Sequence, residues 1–229
     1  MRRRPSTPLP VPFSPRAARA HRAGLGLTPD QVAEGMAAHG VRLLPSHVVA
    51  WEAGETLPSE EEFIALSRAL WCPPAQLMGI APATLRDFRL ARELNREQAA
   101  HRIGVGAATY ARAEETGRWD ADGEQGLALA HVLGLPLRVM VRVTGRQDAL
   151  DRLLRQVVDG RWQAQLRGVA RVVPVPHAVL GEVLAELQDE YLVPGHWGST
   201  VPDTARPPAR PLAERFWELL ARRSTDVPV

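Results

Sequence analysis

The chain repeats itself. Arg19 to Met36 (RAHRAGLGLTPDQVAEGM) aligns with Arg86 to Ile103 (RDFRLARELNREQAAHRI) at an offset of 67 residues. Arg19 falls on Arg86, Arg22 on Arg89, Leu27 on Leu94, Gln31 on Gln98 and Ala33 on Ala100. The offset then drops to 62, which places Glu52 on Glu114, and becomes 63 for Gly54 on Gly117, Leu66 on Leu129, Leu70 on Leu133 and Pro73 on Pro136. The first copy therefore carries five extra residues, inside AAHGVRLLPSH. A duplicated segment repeats one supersecondary unit, so punctuation shared by both copies marks the same structural joints.

That punctuation is helical. Thr28 is placed to cap a helix, Pro29 fits its first turn, and Gln31 closes a capping box; Asn95 and Gln98 hold the same places in the second copy. Glu52 and Glu114 stand at the ends of the third helices, where Gly54 and Gly117 supply a left-handed stop. Ser59 with Glu62 opens the next helix, and Glu60 and Glu61 suit the positive end of its dipole. Small Ala33 and Ala100 leave room for another helix to approach. Arg19, Arg22, Arg86 and Arg89 share a structural task by their repeat, such as pairing with Glu52 and Glu114. Trp51 and Trp71 are expected in the core. Strand signals are confined to RVMVRV (Arg138 to Val143) and ARVVPVP (Ala170 to Pro176).

The expected organisation is a disordered basic arm over residues 1–15, with Arg2, Arg3, Arg4 and five prolines, followed by helical units at 16–80 and 81–143. A C-terminal helical region follows at 144–229, with a linker at 198–211. Its apolar stripes are Leu150, Leu153, Leu154 and Val157; Leu180, Leu184, Leu187 and Tyr191; and Leu212, Phe216 and Leu219. They read as core, with self-association or a protein partner as the alternative. The fold class is all-α.

Charge narrows the function. All 28 basic side chains are Arg, a usage that GC-rich coding explains better than phosphate binding does, and the net charge is only +2. Any affinity for nucleic acid must come from a local patch. Residues 16–80 carry five Arg and seven acids; residues 81–143 carry nine Arg and eight acids. The lone Cys72 excludes an internal disulfide and reads as a buried thiol. No apolar run approaches the roughly 20 residues that span a bilayer, and the proline-broken N-terminus lacks an apolar signal core, so no membrane association and a cytoplasmic location are expected. His177 and His196 lack ligand spacing, and neither a phosphate-cradling loop nor a nucleophile elbow occurs. No metal, cofactor or enzymatic activity is expected.

The segments LTPDQVA and AWEAGETLPS together resemble the Cro/C1-type (XRE-like) helix-turn-helix regulators over about Arg16 to Ile80. A weaker match over Thr84 to Val141 keeps LNREQAA, IGVG and EETG. Tandem units of this kind are similar to a group of actinobacterial regulators. The resemblance implies two lambda-repressor-like helical domains in which the third helix lies in the DNA major groove. It points to Pro45, Ser46, His47, Val49 and Ala50 as the first recognition face and to Gly106, Ala107, Ala108, Thr109 and Arg112 as the second. The candidate contacts are Arg42, Ser46, His47, Arg96, Thr109 and Arg112. The plainer alternatives are a capping role for Ser46, a solvated His47, and an Arg112–Glu115 pair along the helix. Two departures stand out: Pro29 sits where the family often has a phosphate-binding Gln, and both faces are poor in residues that read base edges bidentately.

Two functions therefore compete, with a regulator whose C-terminal helices sense a small molecule as a third class to which no residue points. One is a transcriptional regulator binding double-stranded DNA through two helix-turn-helix units. The other is a protein-interaction module that keeps the fold without reading DNA.

Overall fold

The computed structural model describes residues 10–120, 123–191 and 211–223. Arg2 to Arg4, His196 and nearly all of the 198–211 linker lie outside them. Among the described residues the chain is all-helical, with fourteen helices and no strand. It divides into two compact units, Met1–Ala99 and Ala100–Val229.

The first unit holds α1 (Pro15–Gly24), α2 (Pro29–Ala38), α3 (Pro45–Ala53), α4 (Glu60–Ala69), α5 (Pro74–Leu77), α6 (Leu85–Ala91) and the start of α7 (Arg96–Ile103). Its boundaries follow local chemistry. Thr28–Gln31 and Ser59–Glu62 form reciprocal capping boxes, and Gly54 takes φ +75° to end α3. Asn95 and Gln98 exchange the same pair of hydrogen bonds at α7. α2 packs on α3 and α4, and α1 on α3 and α5. Met36, Trp51, Phe63, Leu66, Leu70 and Leu77 fill the core. Burying such side chains is worth about 1.5–3 kcal/mol each before entropy is counted.

Two expectations need correction here. The end of the presumed arm is ordered into the core: Val11 and Phe13 are buried, and Phe13 meets Phe63 edge-on at 6.4 Å. Ser14 caps α1 through Ala17 N, and its own N–H donates to Leu77 O. Trp71 is not core but 82% exposed. It occupies the left-handed position after α4, at φ +46°, with Cys72 N donating back to Ser67 O. The same position of the second copy is Gly134, φ +63°. Conversely, Glu93 (φ +56°) stands where the first copy has Gly26 (φ +67°). Both non-glycine outliers therefore fill helix stops that the other copy fills with glycine.

The second unit continues with α8 (Ala107–Thr116), α9 (Gly123–Leu133), α10 (Leu137–Val143), α11 (Gln147–Asp159), α12 (Trp162–Val172), α13 (His177–Tyr191) and α14 (Leu212–Arg223). Neither expected strand forms. RVMVRV lies in α10, whose buried Leu137, Met140 and Val141 follow helical rather than alternating spacing. ARVVPVP ends α12 and then turns, with Val175 N donating to Val173 O, so its β-branched residues are buried at a helix junction. α11 packs on α12, α13 and α14, α12 on α13, and α13 on α14. Most of the apolar stripe positions, including Leu150, Leu154, Val157, Leu180, Leu184, Leu187, Phe216 and Leu219, are buried in this four-helix arrangement. Arg215 and Arg223 of α14 reach Glu190 and Glu186 of α13. Among the described residues no single helix is long and apolar enough to cross a membrane.

Helix starts keep the sequence register. α3 begins at Pro45 and α8 at Ala107, the 62-residue offset of Glu52 and Glu114; α4 begins at Glu60 and α9 at Gly123, the 63-residue offset. The division between compact units nevertheless falls inside α7, within the second copy. Glu60 supplies a reason. Its carboxylate takes Arg86 Nε at 2.6 Å and Arg89 Nη2 at 2.8 Å, which fastens α6 to the start of α4. Arg89 is fully buried and also donates to Leu94 O at 2.9 Å. Burial alone would push the Glu60 carboxyl up; the charge of Arg89 and hydrogen bonds from Arg86 and Arg89 outweigh it and hold the group below its ordinary value.

Candidate functional site

Each third helix is attached by a narrow strip. α3 buries Val48 and Trp51, and α8 buries Tyr110 and Ala113, the same positions at the 62-residue offset. Two anchors three residues apart occupy one edge of a helix and leave most of its circumference outside the core. In the first unit an ion pair reinforces the attachment. Arg22 Nε and Nη2 each donate to Glu52 at 2.7 Å, and Nη1 donates to Leu27 O at 2.9 Å. The hydrogen bonds to Glu52 outweigh the cost of burial and hold the Arg22 guanidinium above its usual range. This is the pairing expected from the repeat; Arg86 and Arg89 add Glu60, which the sequence reading had assigned only to the helix dipole.

On α3, Ser46, His47 and Val49 are exposed and Pro45 and Ala50 half-buried. Leu44 rather than Ser46 is the N-cap, so Ser46 does not cap the helix, and no side chain caps it. His47 Nδ1 lies 3.2 Å from Leu44 O, close enough for a ring N–H to donate there. Arg42 is exposed in the turn before α3. On α8, Ala107, Ala108, Thr109 and Arg112 are exposed, and Gly106 is the N-cap without a side-chain bond. The alternative Arg112–Glu115 pair does not form: among the described residues no carboxylate lies within ion-pair distance of Arg112. Arg96 is exposed at the first position of α7.

The N-termini of the two third helices share one further property. Ser14, Thr28, Ser59, Thr84 and Asn95 cap α1, α2, α4, α6 and α7 with side-chain oxygens. α3 and α8, like α5, α10 and α12, have no such cap and no acid in their first turns. Their leading N–H groups and positive dipole ends are left without a side-chain acceptor. The sequence offered this signal in Leu44 and Gly106, which cannot cap. The face of α3 also carries apolar surface: Leu44 is 67% and Val49 52% exposed.

Comparison of the chain with protein-family models, curated proteins and solved structures finds no match.

Proposed function

We propose that the protein is a DNA-binding transcriptional regulator of the Cro/C1-type helix-turn-helix kind, with two such units in tandem, and not an enzyme. One observation carries the reading: both third helices are held by equivalent pairs of buried residues and expose Ser46 and His47 in one copy, Thr109 and Arg112 in the other. A uniformly buried helix offers nothing to a groove; a helix fastened along one edge does. The uncapped N-terminus of α8 supplies backbone donors for phosphate oxygens, and that of α3 supplies Ser46 N–H, since Pro45 has none and His47 N donates to Leu44 O. Arg42, Arg96 and Arg112 bring the charge that such complexes depend on. Two units in one chain imitate a dimer and address two half-sites.

The test is retention of random genomic fragments by the full chain at several salt concentrations, with wild type, Arg96→Ala and Arg112→Ala. Specific retention with a clear salt slope supports the reading, and each lost phosphate contact lowers that slope by about one. No retention at low salt ends it.

A protein-interaction module is the second reading, and Trp71 favours it. A tryptophan 82% exposed, in a backbone conformation that L-residues adopt at a cost, stands where the second copy uses glycine. Tryptophan is enriched at interface hot spots. Retention of DNA unchanged by Trp71→Ala, with loss in Arg112→Ala, separates the two.

A further inference from the structure

We infer that the second unit contains a binding site for a small organic anion, a carboxylate or phosphate carried on an apolar body. The site is a cavity of about 550 Å³ lined by residues of α10, α11 and the first turns of α14. That volume falls in the range of small-molecule pockets.

Three guanidinium groups line it: Arg138 and Arg142 from α10, and Arg155 from α11. Arg138 and Arg142 are four residues apart on one helix, a like-charge pairing that disfavours the empty state. All three are exposed; six other arginines, Arg22, Arg68, Arg86, Arg89, Arg215 and Arg223, are held in ion pairs with acids of the chain. Among the described residues, no carboxylate lies within ion-pair distance of the three cavity arginines. Asp151 and Glu214 also line the cavity, but Asp151 accepts instead from Gln147 Nε2 at 2.8 Å. Positive charge therefore remains in excess there, three against two. α14 begins at the same place, with Glu214 in its first turn offsetting the positive end of the helix, so the arginines are the source of the excess.

The lining also has an apolar part. Val139, Leu212 and Trp217 contribute it, and Trp217 is 3% exposed. Bare phosphate would use the guanidinium groups and leave this part wet. An aryl or short alkyl anion uses both, with Arg forks taking the charged head bidentately. Such a ligand would tie α10 to α11 and α14, so its occupancy would register as added stability of the unit.

The test is calorimetric titration of the full chain with phenyl phosphate, benzoate, inorganic phosphate and benzyl alcohol. The expected result is saturable one-to-one binding of phenyl phosphate or benzoate, at least about tenfold weaker binding of inorganic phosphate, and none of the neutral alcohol. Whichever aryl anion binds more tightly identifies the head group. Arg142→Gln and Arg155→Gln each weaken binding by about tenfold, the scale of one hydrogen bond to a charged group. Arg167→Gln, at an exposed α12 position outside the cavity, leaves it unchanged. Thermal melts of each variant verify the fold. Equal binding by wild type and both cavity variants, equal affinity for inorganic phosphate, or no saturation by either aryl anion at millimolar concentration overturns the site. So does loss of duplex-DNA retention in Arg142→Gln and Arg155→Gln without aryl-anion binding, which makes these arginines backbone contacts.

Discussion

The Arg22–Glu52 pair is the sharpest place to test how the first third helix is held. The side chains are 17% and 9% exposed, and two hydrogen bonds at 2.7 Å join them. Exposed pairs contribute about 0–1 kcal/mol, whereas removing one partner of a buried pair costs about 3–5 kcal/mol. This pair lies closer to the buried limit, but Arg22 keeps Leu27 O when Glu52 is lost. We therefore expect Glu52→Gln to cost about 2 kcal/mol. Gln presents one carbonyl oxygen and turns an NH2 toward a guanidinium donor. Arg22→Met keeps the aliphatic packing and removes the charge. A double-mutant cycle over Glu52→Gln, Arg22→Met and the pair should return a coupling of about 2 kcal/mol. Urea is the denaturant of choice because it leaves ionic strength unchanged. Coincident fluorescence and circular dichroism transitions are required, since a chain with two compact units need not unfold in one step. Coupling below about 0.5 kcal/mol, the level of a solvated pair, refutes the reasoning and leaves Val48 and Trp51 as the whole attachment.

Other outcomes follow from single positions. Trp71→Gly should stabilise the first unit by up to about 1 kcal/mol, because left-handed strain of roughly 1–2 kcal/mol exceeds the burial lost from a side chain so exposed; a destabilised urea midpoint would contradict this. Gly145→Ala should be far worse than Gly117→Ala. Both have positive φ, but a Cβ at 145 meets Gly117 O at 2.7 Å while one at 117 meets nothing within 4 Å; equal melting temperatures would show that the clash relaxes freely. Glu60 is held below its ordinary 4.5 in the folded chain. Its stabilisation is therefore full above the unfolded value and lost as pH falls through the depressed folded one. The stability gap between wild type and Glu60→Gln should hold from neutral pH down to that region and close in stronger acid; a gap that widens on acidification would reverse the sign. Burial, then the charge of Glu93, pushes the Cys72 thiol up, so Ellman's reagent at mildly alkaline pH should label it at least about tenfold more slowly than free cysteine until the protein is unfolded.

The helix stops show where reading the chain succeeded and where it did not. Gly54 and Gly117 were legible because glycine announces a left-handed residue. Trp71 and Glu93 were not, since neither residue type suggests positive φ. The signal lay in the other copy, where Gly134 and Gly26 hold the same positions. RVMVRV misled because β-branched composition outweighed a helical burial pattern visible only once its neighbours were known. Val11 and Phe13 were hidden by the prolines around them. The candidate face was legible as positions on a helix. Which of those side chains were exposed, and that Arg112 stays clear of Glu115, came from the structure.

The side-chain caps and the glycine stops arise from interactions within three or four residues, so the amino-acid order alone determined them. The partners of Glu52 and Glu60 lie 26 to 30 residues away, and the burial of the C-terminal stripes and the gathering of Arg155 with Arg138 and Arg142 around one cavity likewise join separate helices. Such groupings depend on how whole helices pack, because apolar burial is non-directional and does not name its partner. Only the tertiary structure decided them.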